Sequence, residues 1–149
     1  MTDVVDTQAL SGLEQLRAAF ERGGYSRGIG RTLKFQALEL EEGRVVFGGT
    51  PDEDAYNPIG TVHGGYAATL LDSAVGCAVH SRLKAGQGYT TLELKVAYHR
   101  AMTKDTGPVR AEGVVTHLGR RAAFAEGRLT DEQGRLIASA TSTLLVFDR

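Results

Sequence analysis

Gly64-Gly65-Tyr66-Ala67-Ala68-Thr69-Leu70-Leu71-Asp72-Ser73-Ala74-Val75-Gly76-Cys77-Ala78-Val79-His80-Ser81-Arg82 is the longest apolar-periodic stretch of the chain. Leu70, Leu71, Ala74, Val75, Ala78 and Val79 recur at intervals of three and four, and no proline interrupts them. The spacing predicts one long helix over 64–82. Its many Ala and Gly residues would let a curved sheet approach closely. After Gly86 the pattern changes to strand. Thr91 to Tyr98 alternates, with Leu92, Leu94, Val96 and Tyr98 on one face and Thr91, Glu93, Lys95 and Ala97 on the other. Further strands fit 108–118, 121–130 and 135–147, the last two joined by the hairpin signal Asp131-Glu132-Gln133-Gly134. Ahead of the helix, strands near 31–40 and 44–49 meet at Glu41-Glu42-Gly43. One helix with a run of one-sided strands implies an α+β fold, with a five- or six-stranded antiparallel β-sheet wrapped against that helix.

The remaining sequence adds little to this frame. The 149 residues fit a single domain over 1–149. Such a domain buries about 70% of its unfolded surface, enough for a core without staples. Residues 1–10 read as a loose tail. Ser11 to Arg22 (residues 11–22) reads as an amphipathic N-terminal helix that Ser11 can cap and Gly23-Gly24 stops. A net charge of −1 gives no basic excess for nucleic acid or an anionic membrane. The single cysteine, Cys77, excludes an internal disulfide framework and suits a reducing compartment. No stretch approaches the ~20 apolar residues of a bilayer span, and the first ten residues do not resemble a signal peptide. The expected localisation is therefore cytoplasmic. His80, His99 and His117 have no metal-ligand spacing with each other or with Cys77. A Gly-x-Ser-x-Gly elbow, a phosphate loop and a dinucleotide fingerprint are all absent from the sequence.

The chemistry concentrates in Asn57-Pro58-Ile59-Gly60-Thr61-Val62-His63-Gly64-Gly65 and in Asp72. Two glycines open the helix, although each costs ~1 kcal/mol of helix propensity against alanine. The first turn of a helix carries free N–H groups and a positive dipole end. Glycines there let a ligand oxygen reach those donors, as an oxyanion hole requires. Asp72 shares a helical stripe with Gly65, Ala68 and Gly76, at i−7, i−4 and i+4. Small neighbours leave a slot beside the acid. Gly64 and Asp72 are eight residues apart, ~12 Å along a helix. One small carbonyl cannot be polarised at the first and attacked from the second on the same helix. Two antiparallel copies of the helix would solve this, so the spacing favours a site shared across a two-fold dimer.

The Asn-x5-His-Gly-Gly-x6-Asp pattern resembles that of the hotdog-fold acyl-CoA thioesterases of the phenylacetate-degradation type, within the 4-hydroxybenzoyl-CoA thioesterase-like superfamily. The resemblance covers roughly residues 30–147. It implies a hydrolase that converts an acyl-CoA to a carboxylic acid and free coenzyme A. Asp72 would be nucleophile or general base, and the Gly64 backbone N–H the oxyanion donor. Gly65 would border the substrate. Asn57 would orient the thioester, and His63 would orient Asn57 or the leaving thiolate. Thr91, with Thr90 as the alternative, would position the attacking water. Arg100, Arg120 and Arg121 stand where the family holds the CoA phosphates, and Arg suits that task. No cofactor is implied beyond the CoA of the substrate. The implied partner is a second copy of the chain, as a homo-oligomer: a dimer, or a dimer of dimers (homotetramer), with shared active sites.

Two departures stand out. Ala101 follows Arg100 where relatives often have Pro, and Gly76 stands where the 4-hydroxybenzoyl type has a water-orienting Thr. The competing enzyme reading is a hotdog hydratase or dehydratase, whose Asp-x4-His pattern is missing here. A non-catalytic acyl-CoA-binding domain is the other alternative, and it would not need Asp72 on its small-residue stripe. The acyl group (aryl, arylacetyl or medium-chain) is not written in the sequence.

Overall fold

The apolar stripe of the central segment decides where it sits. Helix α3 (Gly64–His80) buries Tyr66, Ala67, Leu70, Leu71, Ala74, Val75, Ala78 and Val79 almost completely, a width of face that only a wrapping sheet can cover. The structure, a computed structural model, describes residues 7–23 and 27–149. α3 stops two residues before the expected boundary at Arg82. Ser81 closes it, its hydroxyl donating to the Ala78 carbonyl at 2.6 Å and accepting from the Gly43 N–H at 2.8 Å.

Six strands form the wrap: β1 (Phe35–Glu41), β2 (Arg44–Gly49), β3 (Gln87–Tyr98), β4 (Val109–Leu118), β5 (Ala122–Asp131) and β6 (Leu136–Asp148). All neighbours are antiparallel, in the order β1-β2-β4-β5-β6-β3. The strand that follows α3 therefore lies at one edge and β1 at the other. Closest approach of sheet to helix comes at Gly113 in β4, where an added Cβ would lie 2.3 Å from the Ala74 carbonyl carbon. The small residues expected to permit this contact are thus needed on the strand as much as on the helix.

Two expectations change in the N-terminal third. The strand foreseen over 31–40 starts only at Phe35, because a short helix α2 (Gly28–Thr32) precedes it. The Thr32 hydroxyl closes that turn on the Gly28 carbonyl at 3.1 Å. Lys34 then reverses the chain at a φ of 57°, held by Asp52 and Asp54 at 2.7 and 2.8 Å. Those carboxylates raise the Lys34 ammonium above its usual range. The tail foreseen over 1–10 is not loose at its end. Residues 7–9 form a 3-10 turn, and the Gln8 carbonyl accepts from the Gly86 N–H at 3.1 Å; residues 1–6 lie outside the described residues. Helix α1 (Gly12–Glu21) opens with a reciprocal capping box between Ser11 and Glu14. Gly23 follows it at positive φ, while Gly24 lies outside the described residues.

β3 departs from simple alternation. Its register with β6 slips between Thr91 and Glu93, leaving Leu92 as an extra residue. Such a bulge reverses the facing of everything before it relative to everything after it. Thr91 therefore points inward like Leu94 and Val96, and Leu92 is 59% exposed. This corrects the expected faces, which put Thr91 opposite Leu94 and Val96 and put Leu92 with them.

The β5–β6 hairpin is tied by Asp131. Its carboxylate accepts from the Gln133 and Arg135 N–H groups and from Arg135 Nε, at 3.0, 2.9 and 2.6 Å. Burial alone would favour the neutral acid, but the Arg135 bonds outweigh it and hold the carboxyl below its usual range. A lowered folded pKa gives stability that is present above the unfolded value, about 3.9, and is lost as pH falls through the folded value. Asp131→Asn should lower the melting temperature at pH 7. The gap to wild type should close under stronger acid, and a gap independent of pH would contradict this account.

Candidate active site

The loop before α3 is built to deliver its first turn. Asp52 caps a 3-10 turn at Glu53–Ala55, and Tyr56 pairs with Val62 across the loop. The Asn57 side chain works inside that loop. Its Oδ1 accepts from the Ile59 and Thr61 N–H groups at 3.1 and 3.3 Å, and its Nδ2 donates to the Thr61 hydroxyl at 3.0 Å. The loop ends at His63, whose N–H donates to the Ala55 carbonyl at 2.8 Å.

His63 is the N-cap of α3. Its Nδ1 accepts from the Gly65 N–H at 2.8 Å, which fixes that nitrogen as unprotonated in this geometry. Through Nδ1 the ring satisfies one of the orphan donors of the helix, and among the described residues no hydrogen bond joins it to Asn57. The Gly65 N–H is consumed by the same bond. Gly64 is left as the terminal donor, and among the described residues its N–H makes no hydrogen bond. Its carbonyl accepts from the Tyr98 hydroxyl at 2.8 Å. Nothing in the sequence announces this contact, since Tyr98 reads only as an aromatic at the end of an alternating strand. A groove of about 340 Å³ opens here, lined by Thr61, Gly64, Tyr98, His99, Arg100 and Met102. It brings Arg100 to the N-terminus of α3.

Asp72 lies two turns further along. It is half-buried on a stripe with Gly65, Ala68 and Thr69 that the chain's own sheet leaves partly uncovered. The Thr91 hydroxyl donates to Asp72 Oδ1 at 3.0 Å. The bulge at Leu92 is what makes this bond attainable, since unbroken alternation with Leu94 would turn Thr91 away. Asp72 Oδ2 makes no hydrogen bond among the described residues. Thr90 is exposed and does not meet Asp72.

The three arginines divide between the two ends of this arrangement. Arg100 follows β3, beside Gly64. Arg120 and Arg121 are exposed in the β4–β5 turn. That turn leads into Ala122, which pairs with Leu145, next to the Leu144 that pairs with Thr91. It therefore sits at the Asp72 end. Within one chain the residues form two half-sites: Gly64, Tyr98 and Arg100 in one, Asp72, Thr91, Arg120 and Arg121 in the other. A larger groove, about 1030 Å³, holds neither; it is lined by Phe20, Arg31, Phe35 and Leu38 at the β1 edge. Cys77 is buried. His80 is half-buried, its Nε2 against Gln15 Oε1 at 3.1 Å, and burial lowers its pKa.

Comparison with known proteins identifies the family of the chain. Residues 59–138 match the Thioesterase superfamily, a span from Ile59 through α3 into β6. The chain is 26% identical over 119 residues to 1,4-dihydroxy-2-naphthoyl-CoA hydrolase of Listeria monocytogenes, covering 80% of this chain and 95% of that one. It is 33% identical over 84 residues to the proofreading thioesterase EntH of Cronobacter sakazakii, covering 56% of this chain and 60% of that one. The solved phenylacetic acid degradation protein PaaI of Thermus thermophilus superposes with a TM-score of 0.70 at 31% identity, covering 78% of this chain and 96% of that one. With its helix wrapped by six antiparallel strands, the chain belongs to the thioesterase superfamily, as a hotdog-fold thioesterase of the phenylacetate-degradation type.

Proposed function

We propose that the chain hydrolyses an acyl-CoA thioester to a carboxylic acid and free CoA, at a site completed by a second copy of the chain. The observation that carries this reading is the Thr91–Asp72 hydrogen bond on a helix stripe that the chain's own sheet leaves partly uncovered. Asp72 Oδ2 acts as general base. Water adds to the thioester carbonyl carbon as Asp72 takes its proton, and the carbonyl oxygen becomes an oxyanion facing the Gly64 N–H. The intermediate collapses, the C–S bond breaks, and the proton on Asp72 passes to the departing thiolate. This scheme draws on no metal and no redox group. Arg100 of one subunit and Arg120 and Arg121 of the other supply cationic contacts for the CoA phosphates.

The two half-sites lie ~12 Å apart along α3, so one subunit provides Gly64 and the other Asp72. β3 offers the joint: it is a 12-residue edge strand whose outer side has no strand partner among the described residues. Antiparallel pairing of two β3 strands would set two α3 helices side by side in opposite directions, and two such dimers could pair further into a tetramer. The Listeria hydrolase acts on an aryl-CoA by its name, which makes aryl thioesters the first substrates to try.

Thiol release from benzoyl-, phenylacetyl- and octanoyl-CoA tests the reaction. Binding of all three without thiol release would overturn it in favour of a binding domain. Site sharing is tested by mixing. Gly64→Pro removes the N–H at the first helical position, where the backbone accepts proline and the added ring displaces the exposed Tyr98 side chain. Random exchange between Gly64→Pro and Asp72→Asn subunits, each inactive alone, should restore about a quarter of wild-type activity, since half the dimers are mixed and each carries one whole site. No recovery after demonstrated exchange would place the whole site in one subunit.

A further inference from the structure

Gly76 is buried although it has no side chain to bury, and the group covering it is Tyr89. A Cβ on Gly76 would lie 3.0 Å from the Tyr89 hydroxyl oxygen and 3.2 Å from Cε2, so the tip of the phenol rests on bare helix backbone. Gly76 is four residues past Asp72. Side chains at i and i+4 of a helix are neighbours, with Cβ atoms ~6 Å apart, so the Tyr89 hydroxyl lies one helical turn from the Asp72 carboxylate, close enough to feel its charge. Tyr89 and Thr91 both precede the bulge on β3 and share its inward face. Thr91 holds Asp72 Oδ1, which leaves Oδ2 for the water. The ring of Tyr89 is braced edge-on by His80, with centroids 5.5 Å apart and planes at 61°. Its hydroxyl makes no hydrogen bond among the described residues. Burial, with smaller contributions from Cys77 and Asp72, pushes the phenol above its usual range. The phenol therefore stays neutral at pH 7.

We propose that Tyr89 is a positioning residue for the reaction, its hydroxyl holding the attacking water against Asp72 Oδ2. This rests on the reading of Asp72 as general base. A water that donates one hydrogen to Asp72 and the other to the Tyr89 oxygen keeps a lone pair for the thioester carbonyl carbon. The arrangement moves to the strand a hydroxyl that a side chain at Gly76 could otherwise carry.

Tyr89→Phe tests it with phenylacetyl-CoA and octanoyl-CoA as probes. The ring and its packing on His80 remain, so melting temperature and KM should hold while kcat falls on the order of 10- to 100-fold, the penalty of a misplaced reactant. An unchanged kcat would overturn the proposal, as would a loss of activity that tracks a lowered melting temperature. Gly76→Ser added to Tyr89→Phe returns a hydroxyl to the vacated space, and most of the lost kcat should come back; a folded double variant as slow as Tyr89→Phe would count against it. Asp72→Asn run alongside separates the two readings. If Asp72→Asn keeps its activity, the general-base reading is wrong; if it is inactive and Tyr89→Phe is not impaired, only the role of Tyr89 falls.

Discussion

Asp72→Asn should reduce thiol release by about 10³-fold, within the range set by losing a general base, while leaving the fold in place. The substitution keeps the shape of the side chain. Its Oδ1 still accepts from the Thr91 hydroxyl, whose bond to Asp72 is 3.0 Å long, so β3 stays registered on α3. No ion pair is lost, since Asp72 forms none among the described residues. What disappears is the basic oxygen. An amide cannot take a proton from water at neutral pH, so KM should move little and kcat should carry the loss. Melting temperatures of the two proteins should agree within about 2 °C, because a surface-side substitution without a lost partner changes stability by no more than ~0.5 kcal/mol. A variant retaining a tenth or more of wild-type kcat would remove Asp72 from the chemistry.

Among the sheet glycines of the described residues, Gly113→Ala should have the largest effect on stability, because only there would the added methyl group meet helix backbone. The added Cβ would meet the Ala74 carbonyl carbon, the Ala74 oxygen and the Val75 nitrogen at 2.3, 2.4 and 2.5 Å. All three are helix backbone, so no rotamer change relieves them. Gly113 sits mid-strand, paired with Val45 on one side and Gly127 on the other, so β4 cannot step back without breaking both ladders. Either α3 lifts from the sheet, opening voids around Leu71 and Val75, or the sheet flattens. Overpacking a core costs about 1–3 kcal/mol where side chains can yield; against backbone we expect more than about 4 kcal/mol, a large part of the roughly 5–15 kcal/mol total of an ordinary domain. Urea unfolding would read this directly. A loss below about 1 kcal/mol would mean that helix and sheet are not in contact at this point. Gly134→Ala is the contrast: it faces open space, and its cost comes only from the positive φ of 75°.

Much of the architecture was legible because it rests on local periodicity. The apolar stripe of α3 and the alternation of β4, β5 and β6 each report one buried face, and the hairpin at Asp131 is written in its turn residues. The failures have a common cause. α2 is a five-residue turn of Gly-Ile-Gly-Arg-Thr, too short to show a period, and it was absorbed into the alternation that begins at Phe35. The bulge at Leu92 depends on how β6 pairs with β3, which no pattern within β3 reveals. Among the candidate site residues, Asp72 and Gly64 were found through helix spacing, which survives folding unchanged. Thr91 came only through resemblance, because period-two reading turned it to the wrong face. Tyr98 and Tyr89 went unseen because each acts by reaching a glycine in another element, Gly64 and Gly76, and a glycine leaves no side-chain trace of what will cover it.

The extra residue at Leu92 gives β3 two phases on one strand. From Leu94 onward its inward side chains serve the core; before Leu92 they serve Asp72. The bulge thus works as a selector between two readings of one strand. Deleting Leu92 would return β3 to unbroken alternation and rotate Thr91 and Tyr89 together to the outer face, without altering a single residue that touches Asp72. A family built on this plan can therefore re-equip its acid by moving an insertion along an edge strand, leaving the helix that carries the acid and the core behind it unchanged.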